Sequence, residues 1–293
     1  MFSNAYLLLA VATLCWGGNS VAGKLAAEEW QSFTFTFVRW TVTMLCLLPF
    51  TYKHLKADWP VLRERGWVML CMGAFGMGAF NLCMYTALHY TTAVNASIEQ
   101  SLMPILIVVA NFLFFRQKVA LWQLIGVVLS VVGVVVTSTN GKPLEFFSGA
   151  LNRGDGLMIL ATVFYAAYTI SLRWRPSVHW LSFLFMIACG AAAICIPLSI
   201  WEISTKEFHP PSLEGWLLLG YAVIFPTIVA QLSFARGVEL LGGNRAGLFI
   251  NLVPIFGSLL AVLLIGESFF IYHAIGLALV LGGIVLAEKS AKS

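Results

Sequence analysis

Charge is what this chain has least of. Only 10% of its 293 residues are Asp, Glu, Lys or Arg, while 60% are hydrophobic; soluble domains carry about 25% charged residues. A water-soluble fold of this length has nowhere to hide so much apolar surface, so lipid is expected to be part of the solvent. Metal and disulfide patterns are missing as well. The six cysteines, Cys15, Cys46, Cys71, Cys83, Cys189 and Cys195, all lie in apolar stretches without a C-x-x-C pair. They read as small hydrophobes in packed helices rather than as a disulfide framework or a zinc site. No metal and no cofactor is expected. There is no basic tail or aromatic–basic patch, and the net charge is only +4, which argues against nucleic acid as a partner. The histidines His54, His89, His179, His209 and His273 fall in loops or near the ends of apolar runs, as do Asp58 and Asp155. An enzyme at membrane depth would need nucleophiles, bases or metal ligands there, so no enzyme is expected.

What the chain has instead is long apolar runs. About 20 residues cross the hydrocarbon core as a helix. Dividing the sequence at its polar, charged and Pro/Gly clusters gives ten such stretches, near 4–24, 31–51, 66–88, 92–115, 120–138, 155–173, 179–201, 213–235, 244–266 and 270–288. The first lacks a basic n-region and a clear cleavage site, so it is expected to be a retained membrane helix rather than a signal peptide. Basic residues set the orientation. With the N-terminus in the cytoplasm, the inside segments carry Lys53, Lys56, Arg63, Arg65, Arg116, Lys118, Arg173, Arg175, Arg236, Lys289 and Lys292. The outside segments carry only Lys24, Lys142, Arg153 and Lys206. Both termini are therefore expected in the cytoplasm. Most tryptophans fall near span ends, where indoles favour the interface; Trp16 and Trp40 are mid-span.

The chain also repeats itself. A shift of 150 residues lays the fourth and fifth stretches on the ninth and tenth without a gap. Ten of 43 positions between 93 and 135 are then identical, among them the pairs Pro104/Pro254, Gly126/Gly276 and Gly133/Gly283. Five spans per half is odd, so the halves sit upside down relative to each other. Inverted repeats of this kind are a carrier architecture, with the substrate site near the midplane between the halves. A channel would favour rings of like residues or carbonyl loops, usually in oligomers. The expected fold is an all-α membrane protein of ten transmembrane helices, arranged as two inverted five-helix repeats around a central cavity. The first repeat spans 1–139, a connecting loop 140–153 and the second repeat 154–293.

Several pieces together resemble the drug/metabolite transporter superfamily in its ten-helix, two-repeat, EamA-type form. They are CWGGNSVAGK in the first span, FVRW in the second and SLMPI in the fourth, with NLVPIFGSLLAVLLIGES and HAIGLALVLGGI in the last two. The first repeat departs from that pattern at FFRQKVA, where the second reads LIGES. Within the superfamily the chain is most similar to bacterial inner-membrane exporters of aromatic amino acids. The resemblance implies a cavity lined by spans 1, 3, 4, 6, 8 and 9. It also implies export of aromatic and other neutral amino acids, or related small metabolites, by alternating access. Aromatic or cationic drugs are the alternative cargo. A small-molecule substrate and the lipid bilayer are the expected partners, and no oligomer is required.

Polar side chains inside the spans are the candidate cavity residues. Glu99 is the one carboxylate deep in a span, where ionised groups are costly unless paired, protonated or facing water. It reads either as a substrate-amino or proton site, or as a hydrogen bonder that bundles helices. Asn95 shares its helix face at i, i+4, with Gln100 adjacent. Trp16 and Asn19 in span 1, Asn81 and Tyr85 in span 3, Tyr165 and Tyr168 in span 6, Gln231 in span 8 and Asn251 in span 9 complete the set. Each alone is commonly interhelical glue, but their similar depth favours a shared cavity. The aromatic members offer flat faces with polar tips to a planar ligand. Arg39, mid-span in FVRW, either binds a substrate carboxylate or braces the fold, and bracing is the expected role. Pro104 and Pro254 are expected to be matched kinks, and so hinges of alternating access.

Overall fold

The computed structural model describes residues 4–116, 120–144, 152–207, 209–242, 246–247 and 249–290. Among these residues every regular element is helical. In chain order they are α1 (Ala5–Glu29), α2 (Ser32–Gly73), α3 (Phe80–Ala87), α4 (Ala93–Glu99), α5 (Leu102–Phe115), α6 (Leu121–Ser138) and α7 (Arg153–Ser171). The second half continues with α8 (Trp180–Thr205), α9 (Leu213–Ala222), α10 (Ala230–Leu241), α11 (Val253–Ile265) and α12 (Ile271–Ser290). Widened π-helical segments join α2 to α3 (Ala74–Ala79) and α9 to α10 (Val223–Val229). A 3-10 turn at Ile250–Leu252 leads into α11. Lys118, Lys292 and residues 145–151 of the expected connecting loop lie outside the described residues.

Among the described residues, seven helical stretches are long and apolar enough to cross a membrane, and Ile250–Ile265 and Ile271–Leu286 are shorter apolar helices. The count differs from ten partly because the expected spans 31–51 and 66–88 are not parted by a loop. They run in one helical path from Ser32 to Ala87. A straight helix would hold Arg39 and Asn81 about 60 Å apart at 1.5 Å per residue. They are hydrogen-bonded at 2.8 Å, so the path turns back on itself between them. Pro49 and Pro60 lie in that stretch, and each removes a backbone hydrogen bond and permits a bend.

The internal repeat is visible as packing. Gly133 of α6 and Gly283 of α12 are 150 residues apart, as are Gly126 and Gly276. Across the α6–α12 contact, a Cβ on Gly133 would lie 2.7 Å from Gly276 O, and one on Gly283 would lie 2.4 Å from Gly126 O. The contact Gly133–Gly276 is thus repeated as Gly283–Gly126 with every residue exchanged for its repeat mate, which is what a local twofold axis requires. Ser130 Oγ donates to Val280 O, its own mate, at 3.2 Å, and so marks where that axis passes. The two π segments obey the same relation, since Ala74 shifted by 150 falls on Ile224.

The matched prolines do not kink continuous helices. α4 stops at Glu99 and α5 resumes at Leu102, with Pro104 in its first turn. In the second half the 3-10 turn at 250–252 precedes α11, with Pro254 in its first turn. The cause is local: a proline ring clashes with the carbonyl four residues back, and those residues are Gln100 and Ile250. The result is a pair of interrupted helices in equivalent places, the arrangement that frames midplane sites in carriers. Restoring the missing backbone donor by Pro104→Ala together with Pro254→Ala is expected to let both helices run through. We expect slower solute flux in liposomes with unchanged folded yield; wild-type flux would show that the interruptions do not matter.

Candidate functional site: a central cavity between the two halves

A cavity of about 470 Å³ lies between the halves, within the usual range of small-molecule sites. Its exposed lining residues, Arg175 and Ala235, mark a mouth at one end of the helices, while buried Asn19, Arg39, Asn81 and Ser101 form its deep wall. The opposite end is shut by hydrogen bonds between the halves. Glu202 accepts from Phe33 N and Thr34 N, both at 2.9 Å, and Glu267 accepts from Ala93 N and Val94 N, both at 2.8 Å. In each case a carboxylate from the second half caps the N-terminus of a helix in the first, which satisfies orphan N–H groups and complements the helix dipole. Trp30 Nε1 donates to Gly215 O at 2.9 Å beside them.

The deep wall is organised around Arg39. One guanidinium nitrogen donates to Asn81 Oδ1 at 2.8 Å and to the hydroxyl of Tyr85; the other donates to Thr227 Oγ1 at 2.8 Å. The Tyr85 hydroxyl in turn donates to Asn19 Oδ1 at 2.9 Å, and Thr227, in the second π segment, donates to Ala222 O at 2.9 Å. One side chain therefore ties α1, α2 and α3 to the other half. Arg39 Nε has no partner, and among the described residues the guanidinium makes no ion pair. Trp16 is held by the same π segment, its indole N–H donating to Pro226 O at 3.0 Å, with its ring 5.2 Å from that of Phe234. Both mid-span tryptophans, Trp16 and Trp40, prove to line the cavity.

Of the residues singled out in the sequence, Trp16, Asn19, Asn81, Gln100, Tyr165, Tyr168, Gln231 and Asn251 border this space, and so do Arg39, Pro104 and Pro254. Three others do not. Tyr85 stands behind the wall, occupied by Arg39 and Asn19. Asn95 faces α12, where its Oδ1 lies 3.0 Å from His273 Nε2. Glu99 is fully buried against Ser138 and Asp155, away from the cavity. Neighbouring helix positions point about 100° apart, so Gln100 enters the cavity while Glu99 turns from it. The second and seventh expected spans also contribute, through Arg39, Trp40, Trp180, Phe183 and Ile187, which widens the implied set of lining helices. Arg175, at the mouth over the Phe183 ring, and Thr227 were not among the candidates. No acidic side chain lines the cavity among the described residues, and no group of His, Cys, Asp and Glu there could hold a metal.

The comparison with known proteins agrees with this architecture. The EamA-like transporter family matches the chain twice, over residues 3–139 and 152–288. The chain belongs to the EamA-like transporter family. The uncharacterized transporter YetK of Bacillus subtilis is 27% identical over 96% of this chain and 85% of its own length. The uncharacterized inner membrane transporter YicL of Salmonella typhimurium is 25% identical over 98% of this chain and 95% of its own. A solved crystal structure superposes with a TM-score of 0.65 at 19% identity, covering 98% of this chain and 97% of that one, which supports the fold. This is a multi-pass, all-helical membrane transporter with a small-molecule substrate.

Proposed function

We propose that this transporter carries neutral, zwitterionic amino acids, aromatic ones foremost, out of the cell across the bacterial inner membrane by alternating access, with both termini in the cytoplasm. The observation that carries the reading is the charge of the cavity. Its described lining holds Arg39 and Arg175 and no carboxylate, beside the aromatic faces of Trp16, Tyr165, Tyr168 and Phe80. A guanidinium with no ion pair among the described residues suits a substrate carboxylate, and the aromatic walls suit a flat apolar side chain. The same charges repel a quaternary ammonium, which counts against cationic drugs as cargo. The relative named as an inner membrane transporter and the inside excess of basic residues support the membrane and the orientation.

The test is efflux of labelled phenylalanine from liposomes containing the purified protein. Trp16→Ala removes an aromatic wall worth about 2 kcal/mol of burial, so efflux should fall about thirtyfold with the protein still folded. No efflux from the wild type, with or without a pH gradient, would sink the amino-acid reading.

A further inference from the structure

Away from the cavity, at the shut end, two carboxyl groups are buried together. Glu99 closes α4 and Asp155 lies in the first turn of α7, exposed by 0% and 1%. The two side chains adjoin each other. Ser138 Oγ lies 2.7 Å from Glu99 Oε1 and 2.9 Å from Val134 O, the Thr91 hydroxyl donates to Asp155, and Asn95 stands beside Asp155. Glu99 Oε2 receives no donor from the protein. Ionised carboxylates only accept and repel each other when enclosed together, so a pair buried this completely is accommodated with one shared proton.

The surroundings supply no charge in its place. From α12, His273 accepts Phe270 N–H on Nδ1 at 3.0 Å, so its proton is on Nε2, donated to Asn95, and the ring is neutral. From α1, Lys24 is spent on Leu88 O and Thr91 O at 2.8 and 2.9 Å. Glu267, following α11, caps the start of α4. From α7, Arg153 is exposed, and α6 presents only Ser138. Tyr272 points to Asn140. His89, in the turn after α3, is held below its ordinary pKa by burial and by the charges of Lys206 and Lys24, so it stays neutral near pH 7.

We infer that Glu99 and Asp155 form a proton-binding site whose occupancy locks this end of the transporter shut. Glu99 and Ser138 belong to the first half and Asp155 to the second, so opening this end parts the pair. Once wet, both groups ionise near their ordinary values of about 4, and the Glu99 carboxyl becomes carboxylate with its proton passing to water on that side. The shut form thus binds one more proton. Acid favours it, and rising pH shifts the balance towards opening. Glu99 adjoins Gln100 and Ser101 at the interruption before α5, both of which line the cavity, so release of the lock reaches the substrate wall through one residue.

The test needs no substrate, so its outcome is separate from that of the amino-acid reading; it shares with that reading only the alternate closure of two ends. Val94→Cys, in a background with the native cysteines replaced, places a thiol in fully buried α4 beside Glu267. Its labelling rate is measured against pH and normalised to the unfolded protein, which removes the thiol's own titration. Labelling should accelerate as pH rises. With Glu99→Gln added, an amide N–H replaces the proton without titrating, and labelling should stay slow at every pH. A flat profile in the parent, or an unchanged pH dependence in Glu99→Gln, overturns the proposal. Should Glu99→Gln fail to fold, infrared titration of the unmutated protein decides: a protonated-carboxyl band that disappears in step with labelling supports the site, and no such band overturns it.

Discussion

On the proposed amino-acid reading, replacing Arg39 with Leu is expected to abolish transport while leaving a folded protein. Two consequences of the substitution oppose each other in stability. Losing the guanidinium orphans Asn81 Oδ1, at about 1–3 kcal/mol for a buried acceptor, and weakens the link to Thr227. It also removes an unpaired cation from a poorly solvated place, and such burial costs several kcal/mol. Tyr85 keeps its bond to Asn19 and Asn81 keeps its bond to Met77 O, so the rest of the network survives and the net change in stability is small. Transport has no such compensation. Arg39 is the charge on the deep wall, and a charge-assisted hydrogen bond to a substrate carboxylate is worth about 3 kcal/mol, or roughly a hundredfold. Arg39→Lys should rescue little, because an ammonium cannot span Asn81 and Thr227 as the fork does. The decisive comparison is phenylalanine against phenylalaninamide, which lacks the carboxylate. The wild type should prefer the acid and Arg39→Leu should not. Wild-type transport of phenylalanine by Arg39→Leu would assign the residue to bracing alone.

The sequence showed which residues share a helix face more readily than which way that face turns. Asn95 and Glu99 do lie together, as i, i+4 spacing demands, but they turn towards α6, α7 and α12, while Gln100 takes the cavity side. Amphipathic periodicity normally resolves such a choice. In a bilayer both the lipid side and the core are apolar, so the pattern loses its outward marker. Asp155 is hidden in the sequence for a related reason. Read alone, NRGDG is the polar start of a span, and only the meeting of the α7 start with the α4 end buries it to 1%. That contact is long-range in sequence and leaves no local trace. His273 is the same case, at 2% exposure. The unbroken helical path from Ser32 to Ala87 was hidden by the charges of TYKHLKADWPVLRER, which read as a loop but are good helix formers on an exposed surface. The interruptions before Pro104 and Pro254, by contrast, follow from proline stereochemistry. Their place four residues upstream follows from the clash with the preceding turn as well as from the missing donor.

The glycine pairs at the local twofold axis lead to a second large expected effect, and to a control one residue away. Gly283→Leu should fail to yield folded protein, whereas Gly282→Leu should behave as wild type. A Cβ at 283 would stand 2.4 Å from Gly126 O and 2.4 Å from Ser130 Oγ, while one at 282 meets nothing within 4 Å. The first obstacle is backbone, so no rotamer change relieves it and α6 must move away from α12. Overpacking a core commonly costs about 1–3 kcal/mol, and here the cost is compounded. Association of membrane helices gains nothing from the hydrophobic effect and rests on close van der Waals contact, which separation forfeits along the whole α6–α12 seam. The symmetric substitution Gly133→Leu, 2.7 Å from Gly276 O, should fail in the same way, because the axis gives it the same environment. Detergent gel filtration and thermal unfolding check all three. Equal behaviour of Gly283→Leu and Gly282→Leu would contradict the packing, and a defect in Gly283→Leu without one in Gly133→Leu would contradict the symmetry.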